Sequence, residues 1–166
     1  MASVLDVSGV AHNPIDLIEE MVSANGWPFD RSNEQELVVG INADWCSYHL
    51  WFAWRHDPGV LHLCCAFDLK VPGEKRCDVS TLVARINDTI WLGHFAMNDE
   101  RNSIMFRHGQ VMFAESIPSP TPYETLIEIA VHECERYYPA FQFVIWGGKS
   151  PTDAIASALL ETRGEA

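Results

Sequence analysis

Trp45-Cys46-Ser47-Tyr48-His49-Leu50-Trp51-Phe52-Ala53-Trp54-Arg55, then His56-Asp57-Pro58-Gly59, then Val60-Leu61-His62-Leu63-Cys64-Cys65-Ala66-Phe67-Asp68-Leu69, is the stretch whose reading decides the fold. Successive side chains of a strand point to opposite faces. Tyr48, Leu50, Phe52 and Trp54 then share a face in the first run, as do Leu61, Leu63, Cys65 and Phe67 in the second. The turn between them is too short for a crossover, so Trp45–Arg55 and Val60–Leu69 pair as antiparallel neighbours. Their apolar face has to be covered. The reverse face carries Ser47, His49, Trp51, Ala53, His62 and Cys64, a mixture of polar and aromatic groups.

Upstream, Glu36–Ile41 reads as a further strand, joined through the turn Asn42-Ala43-Asp44. Before it, Asn13-Pro14 opens a helix, with Asn as N-cap and Pro at the first helical position. Ile15, Ile18, Met21 and Val22 line one side of that helix, Gly26 ends it, and Trp27-Pro28-Phe29 follows as an apolar anchor. Downstream, Val71-Pro72-Gly73 breaks the sheet and Asp78 is placed to cap a second helix bearing Val79, Leu82, Val83, Ile86 and Ile90. Trp91–Asn98 and Ser103–Phe113 form a second hairpin. After the proline-rich loop Pro118 to Pro122, Thr121 and Glu124 have capping-box spacing. They open a helix with the stripe Tyr123, Leu126 or Ile127, Ala130, Cys134 and Tyr137. Phe141–Trp146 is a short apolar run, and Ser150-Pro151 caps a last helix with Ile155, Ala158 and Leu159 on one side.

The order is helix, three strands, helix, two strands, helix, helix. Strands grouped in antiparallel runs give an α+β domain, an antiparallel sheet of about five strands with flanking helices. Residues 1–12 read as a loose lead-in and 13–162 as one domain; 166 residues allow a sizeable single core. With 11 basic against 23 acidic residues, net charge −12, the chain lacks the basic clusters of a nucleic-acid binder. No apolar run approaches the length of a membrane span. Five cysteines without CxxC spacing and a non-basic N-terminus point to a cytoplasmic protein with reduced thiols.

Leu92-Gly93-His94-Phe95, Met105-Phe106-Arg107-His108 and the stretch from Cys134 to Pro151 carry a resemblance to the YbjN family of bacterial proteins, running from the first helix to about Leu160. Members are described as sensory-transduction regulators. The resemblance implies a fold similar to type III secretion chaperones, small dimeric α+β proteins that bind extended segments of partner proteins. It brings no catalytic residues to carry over.

Several motifs invite chemistry. Gly147-Gly148-Lys149-Ser150 mimics the end of a phosphate-binding loop, but Phe143 stands where the pattern needs glycine and Pro151 removes a donor; a glycine turn and helix cap fit better. His132-Glu133-Cys134-Glu135-Arg136 lacks the second histidine of a zinc-protease helix and reads as a solvated face. His49, His62 and Cys64 share a strand face and are the candidate metal ligands, although their geometry need not converge. His94 and His108 lack an orienting partner for a triad and read as structural imidazoles. Cys77 beside Lys75 and Arg76 has no resolving thiol. Among the tryptophans, Trp54, Trp91 and Trp146 are expected in the core. Trp51, on the reverse face with His49 and His62, is the candidate partner-binding surface.

The expectation is a non-enzymatic module that binds another protein as chaperone or regulator, acts as a homodimer, and uses no cofactor or metal. The competing readings are a small-molecule or metal enzyme using His49, His62 and Cys64, or His94 and His108, and a purely structural subunit with one fixed partner.

Overall fold

The computed structural model describes residues 13–113 and 119–161. The proposed lead-in 1–12, and most of the link before Ser119, lie outside them. The elements are α1 (Pro14–Ala24), β1 (Phe29–Asn33), β2 (Glu36–Asn42), β3 (Ser47–Arg55), β4 (Val60–Lys70), a 3-10 turn (Gly73–Lys75), α2 (Arg76–Asn87), β5 (His94–Asn98), β6 (Ser103–Val111), α3 (Thr121–Ile145) and α4 (Pro151–Glu161). The strands form one sheet in the order β1-β2-β3-β4-β6-β5. Every pairing is antiparallel. The α+β expectation therefore holds, with six strands in place of about five.

The additional strand is β1. Its sequence, Phe29-Asp30-Arg31-Ser32-Asn33, shows no apolar alternation because it sits at the sheet edge. Arg31 holds it down, reaching Asp16 at 2.7 Å and also pairing with Glu19, both on α1. These contacts link an edge strand to the helix above it, a tie that hydrophobic periodicity does not register.

The hairpin of β3 and β4 has the expected face. Tyr48, Leu50, Phe52, Leu61, Leu63, Cys65 and Phe67 are all buried, and Trp54 packs against them. α1 packs against β2 and β3, α3 against β4, and α2 against β5, with α4 outside on α3 and α2. Apolar periodicity selects the buried side of each helix, as in Ile15, Ile18, Met21 and Val22 of α1. Asn13 caps α1 as expected, its side-chain oxygen accepting from Ile15 N–H at 3.0 Å.

Several expectations change. Phe141–Trp146 is no separate element: α3 runs through Pro139 to Ile145. An internal proline costs a helix about 3 kcal/mol, and burial of Tyr138, Ala140, Phe141, Val144 and Ile145 offsets that cost. Thr121 lies inside the first turn of α3, so the capping box does not form; Pro120 is the cap residue. α2 begins at Arg76, ahead of Asp78, because the 3-10 turn leads directly into it. Trp91 and Trp146 are not core. Trp91 precedes β5, which starts only at His94, and is fully exposed; Trp146 is the C-cap of α3 and is 66 % exposed.

Candidate functional site

The core lies on one side of the sheet, and burial along β3 and β4 alternates accordingly. Among the described residues the other face stays open. Strand register places Asp30, Val38, Trp51, Cys64, Arg107 and His94 in one row across all six strands of that face. Trp51 is at the row's centre, half-buried among its strand neighbours. Its indole meets the His62 ring edge-on, centroids 6.1 Å apart and planes at 81°.

His49 and His62 fall on opposite sides of Trp51. His49 pairs with Ala66 and His62 with Ala53, a separation of four residues along the strands, or about 13 Å. The two imidazoles and Cys64 do not converge. Among the described residues no group of three or more His, Cys, Asp or Glu side chains is placed to hold a metal. Cys64 instead donates toward Met105 Sδ at 3.9 Å.

His94 and His108 also part company. His94 stands opposite Arg107 on the open face, whereas His108 stands opposite Leu63 on the core side. Burial, with His94 near, holds the His108 imidazolium below its usual range. The His62 imidazolium is lowered by burial first, then by Arg107, His94 and His108. Burial raises the Cys64 thiol, with Arg107 opposing.

Arg107 is the member of this cluster that single-residue reasoning overlooked. Its Nη2 lies 3.5 Å from His62 Nε2, and its Nε is buried without a hydrogen-bond partner. The signal was present in Met105-Phe106-Arg107-His108: alternation puts Arg107 opposite in face to buried Phe106. Its neighbours depend on the β4–β6 register, which joins strands distant in sequence.

Residues 14–143 match the family described as YbjN, "Putative bacterial sensory transduction regulator". The chain belongs to the YbjN family. No curated protein matches the sequence. A chain in the crystal structure of the ExsC–ExsE complex superposes with a TM-score of 0.50 at 14 % identity, over 77 % of this chain and 92 % of that one. That likeness is one of fold, and it is the chaperone-like architecture expected above.

In this YbjN-family chain two of the three motif stretches have structural explanations in their glycines. Gly93 sits at φ +70°, and a Cβ there would lie 2.8 Å from the Arg107 carbonyl oxygen and 2.9 Å from Phe106 Cε1. Only glycine lets the chain enter β5 this close to β6. The Gly147–Ser150 segment is a helix stop: Lys149 N–H donates to the Phe143 carbonyl at 3.1 Å, and Gly148 takes φ +65°. Lys149 Nζ lies 4.1 Å from the Phe143 ring centroid and donates to Ser157 Oγ at 2.8 Å. Ser150 Oγ caps α4 by accepting from Asp153 N–H at 3.2 Å. Arg136, where a zinc helix needs histidine, lies over the Tyr137 ring.

Glu135 does structural work that the sequence did not reveal. Its carboxylate accepts from Asp44 N–H at 3.0 Å, Trp45 N–H at 3.3 Å and Tyr48 O–H at 2.5 Å, fixing the β2–β3 turn to α3. Burial and this bond raise the Tyr48 phenol far above its usual range. Beside this clamp, Trp27, Ile41, Ile127 and Val131 line a groove of about 580 Å³ with Glu128 and Glu133. No helix among the described residues is long and apolar enough to cross a membrane.

Proposed function

We propose that this protein is a non-enzymatic protein-binding module, chaperone-like or regulatory, that receives a partner segment on the open face of its sheet around Trp51, His49 and His62. One observation carries the reading: among the described residues the six strands have a helical layer on one side only, and the other side is centred on a tryptophan. A large aromatic on a strand face away from the core contributes most when another surface covers it. Membership of a family described as regulators supports the role. So does a structural neighbour crystallised in a complex, ExsC with ExsE. The protein acts as a homodimer in the cytoplasm and needs no cofactor.

A photo-crosslinking residue at exposed His49 tests the surface, with one at Thr152 on α4 as the control. Crosslinking of a stoichiometric partner from position 49 and not from 152 is the expected result. Crosslinks from 152 alone would remove the open face from the proposal. Light scattering of the purified protein tests the dimer, and a monomer mass across the micromolar range would refute it.

A further inference from the structure

We propose that Arg107 is an anion receptor on the open face, and that the partner segment is an extended strand whose Asp or Glu carboxylate seats on this guanidinium beside Trp51. The inference rests on the partner-surface reading above and specifies the chemistry of what binds.

The argument begins with an imbalance. Acidic residues outnumber basic ones by 23 to 11, yet among the described residues no carboxylate pairs with Arg107. The ion pairs among the described residues involve Arg31, Lys75, Arg76 and Arg136. None involves Arg107, although it is partly buried and its Nε–H, out of reach of solvent, has no hydrogen-bond partner among the described residues, the weakly accepting Cys64 thiol lying beside the guanidinium. A buried guanidinium N–H left unpaired is costly; Nε itself is closed to solvent, so a carboxylate from outside meets the guanidinium through its Nη groups.

Among the described residues no carboxylate of the open face lies near Arg107. Cys64 and His94 flank Arg107 in its row, and His62 lies against its Nη2. Glu36 belongs to β2, three strands away, about 14 Å by strand spacing. Asp30 is one strand further. Asp68 lies four residues along β4 from Cys64, again about 13 Å. Arg107 is thus an island of fixed positive charge on an acidic protein, with His62 against it held toward its neutral form. An acidic group is steered to this island and repelled elsewhere.

The shape of the site selects a polypeptide. The face is a pleated surface, and small side chains or none at Ala53, Ala66, Ala96 and Gly109 leave room for a chain to lie across it. A strand presents every second residue downward, about 7 Å apart; with an acidic residue over Arg107, an apolar residue two positions on points toward Trp51, about 10 Å away across two strands. A guanidinium fork recognises a carboxylate through paired N–H donors.

The test uses the full-length protein labelled with ¹⁵N and follows the Arg107 Nε–H resonance, assigned by its loss in Arg107→Lys. The probes are end-blocked peptides in which every second residue is in turn Leu and Asp, Leu and Asn, or Leu and Lys, with Thr between them so that both types share one face, and sodium acetate alone. A charge-assisted bond to an ionised group is worth about tenfold or more in affinity. The Leu-Asp peptide should therefore bind at least about tenfold tighter than the Leu-Asn peptide and shift Arg107 Nε–H. Arg107→Gln should erase the difference and Arg107→Lys should retain part of it. Equal binding of Asp and Asn peptides, or preference for the Lys peptide, overturns the proposal. So does acetate producing the same shift at equal carboxylate concentration, which assigns the site to free carboxylates. A dimer that dissociates in Arg107→Gln without peptide binding assigns the guanidinium to a second copy and also overturns it. If Trp51→Ala abolishes peptide binding while Arg107→Gln leaves it unchanged, this inference fails and the partner surface stands. If neither variant matters, both fail.

Discussion

Gly93→Ala should be among the most destabilising single-methyl changes in this protein, and the structure gives the reasons. Gly93 has φ +70°, a conformation that costs a non-glycine residue roughly 1–2 kcal/mol. The new methyl would also press within 2.8 Å of the Arg107 carbonyl oxygen and 2.9 Å of Phe106 Cε1. Neither neighbour can move freely: one is sheet backbone and the other a fully buried ring packed on Phe95 at 5.6 Å. Overpacking of this kind costs roughly 1–3 kcal/mol more, so the sum is about 2–5 kcal/mol. Gly148→Ala is the internal control, because φ is +65° there and nothing lies within 4 Å. It should lose only the backbone part. Urea unfolding with matched m-values reads both. Equal losses for the two variants would refute the claim that β5 is held against β6 by a contact only glycine allows.

Glu135→Gln leaves one acceptor oxygen for three donors, Asp44 N–H, Trp45 N–H and Tyr48 O–H; a loss of about 2–3 kcal/mol is expected, with faster amide exchange at Asp44 and Trp45, and unchanged exchange there would contradict the clamp. Arg31→Ala removes both ties from β1 to α1; solvent screening limits the loss to about 1 kcal/mol, and proteolysis should nick the β1–β2 hairpin sooner than in the parent. His62 and His108 both have imidazolium forms held below the usual value of 6.5. Their folded pKa values are depressed, so their contribution to stability is present above about pH 6.5 and lost as pH falls through the lower folded values. The melting temperature should therefore drop from pH 7 towards pH 5, and less steeply in His62→Gln; an identical slope in that variant would remove His62 from the explanation.

How much of this the sequence disclosed depends on the range of the interaction. The β3–β4 hairpin was readable because its alternation and its turn are local, and Leu50, Phe52, Leu63 and Cys65 went where period two put them. The same rule placed Trp51 on the open face. β1 was not readable, since Arg31 is held by charges on α1 and not by an apolar stripe. Pro139 argued locally for a helix end, and tertiary burial of Phe141 and Val144 overrode it. Trp91 and Trp146 show the converse: aromatic identity suggested core, yet their places in a loop and at a helix end leave them outside. At the candidate site, the neighbourhood of His62 and Trp51 follows from one hairpin. The company of Arg107 follows from pairing β4 with β6, strands separated by a helix and by β5, and that register is set only in the folded sheet.

The central claim is that the uncovered sheet face, centred on Trp51, is where this YbjN-family protein meets its partner. The most direct measurement is quantitative mass spectrometry of proteins captured with it at native expression, comparing the parent, Trp51→Ala, and Val131→Ala in the groove beside α3. The account predicts a stoichiometric partner retained by Val131→Ala and lost from a folded Trp51→Ala. A partner retained by Trp51→Ala and lost from Val131→Ala would contradict it and move the binding surface to the helical side of the molecule.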